Sequence, residues 1–396
     1  MSNDVLFSPF TLPCGTTIKS RLIKSAMSDS LGDGTGHPTD AQMRLYERWA
    51  EGGIAASIIG EVQGLSGFAE KPGNLVLNSN SDLDKFKLLS DRAQKNDSLL
   101  WLQLGHAGAL SYAPTSNPKG PSALDLDELS CEALTLDEIK QVIEQFARTA
   151  LLAKQAGFGG VQIHAAHGFL LSQFLSPLFN QRDDKYGGSI DNRTRLLLET
   201  IKAVRDLVGE SFPIAIKLNS SDQLEGGLSQ EDALVVVKAL DQTSIDLIDI
   251  SGGTYFPGAK SASDGAGKGP YFLEFAEAAR KITSKPLMLT GGFKTKAQAD
   301  DALARGIVDF IGLARAVIID PSLPDNWQNS ENTSPQFPKF LHTPEGGVTA
   351  WYTMRITDIG DDKPISSEYD LDIEEAMNAY ELRDKARTET WLNHFG

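Results

Sequence analysis

Cysteine is scarce in this chain: its 396 residues contain only Cys14 and Cys131. Two thiols exclude a disulfide-stapled scaffold. They also exclude a four-cysteine iron–sulfur cluster or zinc site supplied by this chain alone. Basic residues are in deficit too, with a formal net charge of −16. A phosphate-backbone binder needs a basic face, so nucleic acid is not an expected partner. No apolar run approaches the roughly 20 residues that span a bilayer. The opening MSNDVLFSPF lacks the basic stretch and apolar core of a secretory signal. These absences lead to the expectation of a cytoplasmic protein with no membrane partner. Two motifs are missing as well. No GxGxxG follows the first strand-like run, which counts against a dinucleotide-binding open sheet. No serine sits in GxSxG, which leaves a hydrolase without support.

The remaining composition is that of a globular protein with a large core: 41% hydrophobic and 23% charged residues. Short, unbroken apolar runs recur along the chain, beginning at Leu22 (LIKSAM), Ile54 (IAASIIG), Ser98 (SLLWLQLG), Gly160 (GVQIH), Pro213 (PIAIKL), Ile245 (IDLIDIS), Pro286 (PLMLTG) and Val308 (VDFIGLA). Unbroken rather than alternating apolar character marks parallel strands buried on both faces. Helical patterns lie between them. One runs from Ala41 to Gly52. Another runs from Leu136 to Gly157, opened by Thr135 and Glu138 at capping-box spacing. A third runs from Asn192 to Gly209, with Leu196, Leu197, Ile201 and Val204 on one face. The alternation predicts an α/β fold, a closed (β/α)8 TIM barrel over residues 1–325, with a doubly wound sheet as the competing architecture. PFTLPCGTTIKSRL reads as an N-terminal hairpin capping the barrel floor. Residues 320–345 read as irregular. The C-terminal extension, residues 326–396, carries Trp351, Tyr352, Tyr380 and Trp391; it is expected to pack on the barrel or on a neighbouring subunit of a homo-oligomer.

A TIM barrel places its site where the strands end. There the sequence offers Ala26, Met27 and Ser28, then Gln103 and His106, His164 and His167, Lys217, Gly291 and Gly292, and finally Ala314 and Arg315. Glycines after the seventh run let backbone N–H groups approach an anion, and Arg315 can clamp it; a plain turn and a surface ion pair is the alternative. His164 and His167, three apart, fall on opposite faces of a strand but converge in a turn just past its end. They read either as a hydrogen-bonding pair for a carbonyl or carboxylate or as structural caps. A metal is not expected, since no acidic residue or cysteine stands beside them in the sequence. Lys217, inside an apolar strand, must face a solvated site or a negative partner. It reads as a salt bridge across the barrel interior or as a cation beside a ring that becomes negative on reduction.

Together these residues resemble the old yellow enzyme family, in its bacterial NADH:flavin oxidoreductase branch. The resemblance covers about residues 5–320. Its most specific stretch is GFGGVQIHAAHGFLLSQFLSP followed by NQRDDKYGGSIDNRTRLLLE, with QLGHAG and KLNSSD as further matches. The resemblance implies FMN at the barrel mouth and NADH or NADPH as reductant. Ser25, Ala26, Met27, Ser28 and Val62 would line the flavin, Gln103 would meet its edge, and Lys217 would stabilise its reduced form. Gly291, Gly292, Ala314 and Arg315 would hold the phosphate, and His164 and His167 would bind the carbonyl of an activated alkene. The larger relatives carry an iron–sulfur cluster and a second nucleotide domain. Lacking the cysteines, this chain is expected to take electrons directly from a nicotinamide or a partner protein.

Three residues depart from the family pattern. Phe169 stands where the family often has the tyrosine that protonates the substrate, so the proton must come from elsewhere: water, Tyr186 or a tyrosine of the tail. Lys217 replaces the commoner arginine, and Ser28 replaces the cysteine of some relatives. The expected activity is ping-pong reduction of α,β-unsaturated carbonyl compounds. The alternatives are a flavin isomerase or dehydrogenase, a non-redox phosphate-binding barrel, and a barrel retained only as a binding protein.

Overall fold

The structure, a computed structural model, describes residues 4–126, 129–256, 259, 269–329, 333–340, 342–363 and 372–396. Eight parallel strands close into a barrel: β1 (Leu22–Met27), β2 (Ala56–Gln63), β3 (Leu99–Gly105), β4 (Gly160–Ala165), β5 (Ile214–Asn219), β6 (Leu247–Ser251), β7 (Leu287–Thr290) and β8 (Phe310–Leu313). Each pairs with its chain neighbour. Closure comes from β8 against β1, where Ile311 lies opposite Leu22. The helices that follow the strands are α1 (Asp40–Glu51), α2 (Leu83–Ala93), α3 (Leu136–Gln155), α4 (Ile190–Val208), α5 (Gln230–Asp241), α6 (Leu273–Arg280) and α7 (Lys296–Ala304). The expected (β/α)8 fold is therefore the observed one.

Side-chain alternation on the strands layers the barrel interior. At the floor, Ile23, Ala56, Trp101, Ala215, Leu247, Met288 and Phe310 form one apolar cluster. Leu12 and Ile18 of the hairpin Phe10–Thr11/Thr17–Ile18 plug that cluster from below. Two residues further along the strands the interior turns polar: Ser25, Gln103, Gln162, Lys217, Asp249 and Thr290 are all buried. The apolar floor holds the barrel closed, and the polar layer lies directly under the mouth.

Local chemistry sets the helix boundaries. Thr135 and Glu138 form the predicted capping box, with Thr135 Oγ1 accepting from the Glu138 amide and Glu138 Oε2 accepting from the Thr135 amide at 2.8 Å. α4 begins two residues before the expected Asn192, because Ser189 is its N-cap. One expectation fails: residues 320–345 are not wholly irregular. Leu323–Asn329 is helical and buries Leu323, Pro324 and Trp327; the Asp320 carboxylate accepts from the Ser322 amide and the Asn326 side chain.

Two C-terminal helices follow. α8 (Gly347–Gly360) lies along α1, and Gly360 is needed there, since a Cβ would come within 2.4 Å of the Ala41 carbonyl oxygen. Its Trp351, Tyr352, Ile356 and Ile359 join the same core as the barrel. α9 (Ile373–Phe395) reaches the loops after β1 and β2, where Trp391 packs with Ala69 and Val76 and Arg387 donates to the Ser30 carbonyl. No helix among the described residues is long and apolar enough to cross a membrane.

Candidate active site

The most motif-like stretch of the sequence frames the loop after β4. Asn180 donates from its amide to the carbonyls of Phe174 and Tyr186, both at 2.7 Å. Arg182 grips Asp184 through two nitrogens and donates to the Pro121 and Leu134 carbonyls. Arg193, buried, holds Asp232 and the Gly188 carbonyl. This network makes a rigid support for the segment that carries His164, His167 and Phe169. It also places Tyr186 within this frame: its hydroxyl donates to Glu199 at 2.7 Å and its ring packs on Phe174.

The two histidines meet at the mouth. His164 is on β4, and His167 lies past its end in the left-handed region at φ +61, which turns its ring back. His164 Nε2 and His167 Nδ1 are 3.1 Å apart, and His167 Nε2 lies 2.8 Å from Ser251 Oγ. Asn219 of β5 fixes the loop by accepting from the His167 amide at 3.1 Å. Burial pushes both imidazoles well below the ordinary histidine range, with nearby Lys217 adding to the effect, so both are neutral and carry one N–H each. The sequence shows no acid beside the pair, but the fold supplies one. Glu61, at φ +58 in a register shift of β2, brings Oε1 within 2.6 Å of His164 Nδ1. The contact lies off the ring axis and is not a hydrogen bond: His164 Nδ1 has no hydrogen-bond partner among the described residues. Burial pushes the Glu61 carboxyl up to about 8, against the smaller opposing effects of Gln63 and Lys217. No group of three metal-ligating side chains occurs among the described residues.

Below the histidines, Lys217 is 1% exposed and pairs with Asp249 Oδ2 at 3.2 Å. Of its two predicted readings, the salt bridge across the interior is present, and the same ammonium still lies one strand from His164. Asp249 also accepts from Gln162 at 3.0 Å and from Thr290 at 2.6 Å; Thr290 in turn meets Ser25 Oγ at 2.9 Å. Gln103 donates to Gln162 at 2.8 Å. Every polar group of the layer is thus tied to a neighbour, as buried polar groups must be. Ser25 commits its side chain to this network and offers only its backbone to the mouth.

Around the rim, Ala26 and Met27 are half-buried, Val62 is buried at the end of β2, and Ser28 Oγ accepts from Asn74 at 3.3 Å. Gly291 and Gly292 both have positive φ, and a Cβ at Gly292 would meet the Gly269 carbonyl oxygen at 2.1 Å. Arg315 opens a short helix just after β8, its guanidinium 5.6 Å from the ring centre of Tyr352 in α8. His106 stays out of the reaction region, stacked on Phe68 at 4.1 Å with Nδ1 accepting from the Gly108 amide.

Phe169 and an unforeseen residue, Tyr255, complete the site. The Phe169 ring is 4.8 Å from that of His164. Tyr255 lies 5.7 Å from His167 and 5.9 Å from Phe169 (ring centres) and is 62% exposed. Its amide donates to the His167 carbonyl, which ties it to the histidine loop.

Paired imidazoles, a buried ammonium, two glycines of positive φ and an arginine thus stand at the strand ends of one barrel mouth. Residues 5–333 match the model of the NADH:flavin oxidoreductase / NADH oxidase family. The chain belongs to that family. It is 33% identical over 379 residues to the NADH-dependent flavin oxidoreductase iliE of Neonectria sp. (strain DH2), covering 87% of this chain and 49% of the relative, so it spans about half of that protein's length. It is 32% identical over 343 residues to the NADPH dehydrogenase of Bacillus licheniformis, covering 85% of this chain and 98% of the relative. The old yellow enzyme homologue of Zymomonas mobilis shares the fold, with a TM-score of 0.72 and 24% identity over 88% of this chain and 98% of that one. The family is flavin-dependent and draws on NADH or NADPH.

Proposed function

We propose that this protein reduces activated alkenes, the α,β-unsaturated carbonyl compounds, with electrons from NADH or NADPH passed through FMN at the barrel mouth. The observation that carries the reading is the pairing of two neutral imidazoles at the mouth above Lys217, His164 Nε2 lying 3.1 Å from His167 Nδ1. The rim suits FMN. Gly291 and Gly292 have the left-handed backbone that lets amides face a phosphate, and Arg315 and Ala314 stand beside them. Ser25, Ala26, Met27, Ser28 and Val62 would line the ring system, Gln103 would reach its edge, and Lys217 would lie under its electron-rich half. When bound, FMN supplies two-electron hydride chemistry that no side chain offers.

The protein's own residues do the rest. The histidine pair, whose rings hydrogen-bond each other here, would turn N–H groups to the substrate carbonyl and stabilise the negative charge that grows on it as the β-carbon receives hydride. Phe169 packs against the bound substrate and has no proton to give. Tyr255, beside both Phe169 and His167, is the hydroxyl placed to protonate the α-carbon. Its proton is replaced from solvent, to which it is open. The nicotinamide and the alkene use the same mouth in turn, which gives ping-pong kinetics.

The test is product analysis of FMN-loaded protein given NADH or NADPH and 2-cyclohexenone under argon. Cyclohexanone formed in step with nicotinamide oxidation supports the proposal. Nicotinamide oxidation without product would overturn it and favour the isomerase or dehydrogenase reading that Phe169 also allows.

A further inference from the structure

We propose that Lys24 is a positioning residue for the flavin, holding the end of β1 from behind so that Met27 and Ser28 stand at a fixed place at the mouth. The inference rests on the reading that these two residues line FMN. Ile23 joins the apolar floor and Ser25 the polar layer, so alternation points Lys24 outward, under α1. There it is fully buried, its ammonium 4.6 Å from the ring centre of Trp49 and 5.0 Å from that of Tyr46. A buried charge is costly unless it is hydrogen-bonded and partnered, and the reaction gives this one no part. Its contacts define its role.

The register of β1 against β2 shifts between Lys24 and Met27. Lys24 lies opposite Ser57 and Met27 opposite Ile59, so β1 carries one more residue than β2 over this stretch. An extra residue of this kind bends a strand and re-aims its side chains, and such bulges collect beside active sites. Ile58 is the β2 residue left without a β1 partner, and its carbonyl accepts from Lys24 Nζ at 3.1 Å. Gly60 lets β2 cross close by: a Cβ there would be 2.3 Å from the Met27 carbonyl carbon and 2.6 Å from the Ser28 nitrogen.

The same ammonium reaches the turn after β1. It donates to the Tyr46 hydroxyl at 3.4 Å, and Tyr46 donates to Asp29 Oδ2 at 2.7 Å. Asp29 also accepts from Gln42. Its Oδ1 accepts from the Leu31 amide at 2.9 Å, across Ser30, which is in the left-handed region at φ +52. Asp29, Gln42 and Tyr46 are all buried. Ser28 lies between these two anchored points, and Asn74 donates to its hydroxyl. Burial pushes the Lys24 ammonium down to about 7, with Asp29 opposing it, and the amine in either state keeps an N–H for Ile58.

The experiment is a fluorescence titration with FMN of FMN-free wild type, Lys24→Met, Ser28→Ala, Arg315→Ala and the double variants K24M/S28A and K24M/R315A. Hydrogen exchange at the amides of residues 27–31 is followed in the FMN-free proteins. Lys24→Met should weaken FMN binding about three- to tenfold, the worth of one hydrogen bond, and speed exchange at those amides. Ser28→Ala should cost less in K24M than alone, because the residue being placed is already loose. Arg315→Ala, at the phosphate end, should cost the same in both backgrounds. Tyr46→Phe keeps the ring and removes the link to Asp29; it should show the same pattern and decides the matter if K24M does not fold. FMN affinity within about twofold of wild type in these variants, or unchanged exchange, overturns the proposal. So does an equal coupling of Lys24 to Ser28 and to Arg315, which marks a general loosening of the barrel. Wild type that takes up no FMN fails the flavin reading itself and this role with it, a result distinct from wild type and variants that bind FMN equally well.

Discussion

Asp249→Asn tests whether the polar layer under the mouth is as desolvated as its burial implies. Lys217 is 1% and Asp249 0% exposed, and the pair is 3.2 Å apart. Removing one member of such a pair leaves a buried charge uncompensated, which costs about 3–5 kcal/mol. In D249N the amide oxygen still accepts from one neighbour, but Lys217 loses its counter-charge, and Gln162 and Thr290 must share what two carboxylate oxygens served before. Urea unfolding of the FMN-free protein at pH 7 should show a loss in that range. Lys217→Met should cost a similar amount. The double variant should be less destabilised than the sum of the two by about 1–3 kcal/mol, because it leaves no orphaned charge. Single losses under about 1 kcal/mol, or strict additivity, would mean that water reaches the pair, and the account of a dry polar layer would be wrong.

Four further outcomes follow from the same geometry. Tyr255→Phe should slow reoxidation of the reduced enzyme by 2-cyclohexenone about 10²–10⁴-fold while leaving reduction by the nicotinamide unchanged, as seen by stopped-flow absorbance. Adding Phe169→Tyr to that variant should restore part of the lost rate, since position 169 faces the partner histidine, His164, and lies 5.9 Å from Tyr255. Arg315→Ala should weaken FMN binding by about 1.5–3 kcal/mol, the loss of one charge-assisted contact, measured by fluorescence titration of FMN-free protein. Stability should fall as pH rises from about 4.5 through 8. Glu61 is raised from its ordinary 4.5 to about 8, so the folded protein holds this proton more tightly than the unfolded chain, and the advantage disappears once the carboxyl ionises. Urea midpoints at pH 6 and 9 should show the fall, and E61Q should flatten it.

The barrel was legible because strands buried on both faces leave unbroken apolar runs, and every such run from Leu22 to Val308 corresponds to a barrel strand. That His164, His167, Lys217, Gly291, Gly292 and Arg315 gather at the mouth was legible for a related reason: polar or glycine residues in or just after an apolar run stand out, and a closed barrel brings its strand ends together. Gln162, Asp249 and Thr290 were missed. Each looks like an ordinary polar residue in its strand, and only the cross-strand register puts them in one layer with Lys217. Strand alternation offered a signal: Asp249 and Thr290 stand two residues past the floor residues Leu247 and Met288, and Gln162 two past Gly160, the register partner of the floor residue Trp101. Glu61 left no such trace. A register slip moves it inward, and a slip depends on how β2 meets β1 and β3, not on its own residues. Tyr255 was hidden for another reason: it belongs to an irregular loop with no periodicity, brought to His167 by a single backbone contact. The helix Leu323–Asn329 went unread because Pro324 and a length of seven residues masked its pattern. Tyr186, one of the donors the sequence offered, is tied by its hydroxyl to Glu199 in the frame of the loop after β4.

The central claim is that one mouth takes a nicotinamide and then an activated alkene, with FMN between them. Anaerobic stopped-flow absorbance at the flavin band tests it most directly. FMN-loaded protein should bleach on mixing with NADH or NADPH and recover its colour on a second mixing with 2-cyclohexenone. Bleaching without recovery would contradict alkene reduction, and a protein that takes up no FMN would contradict the site itself.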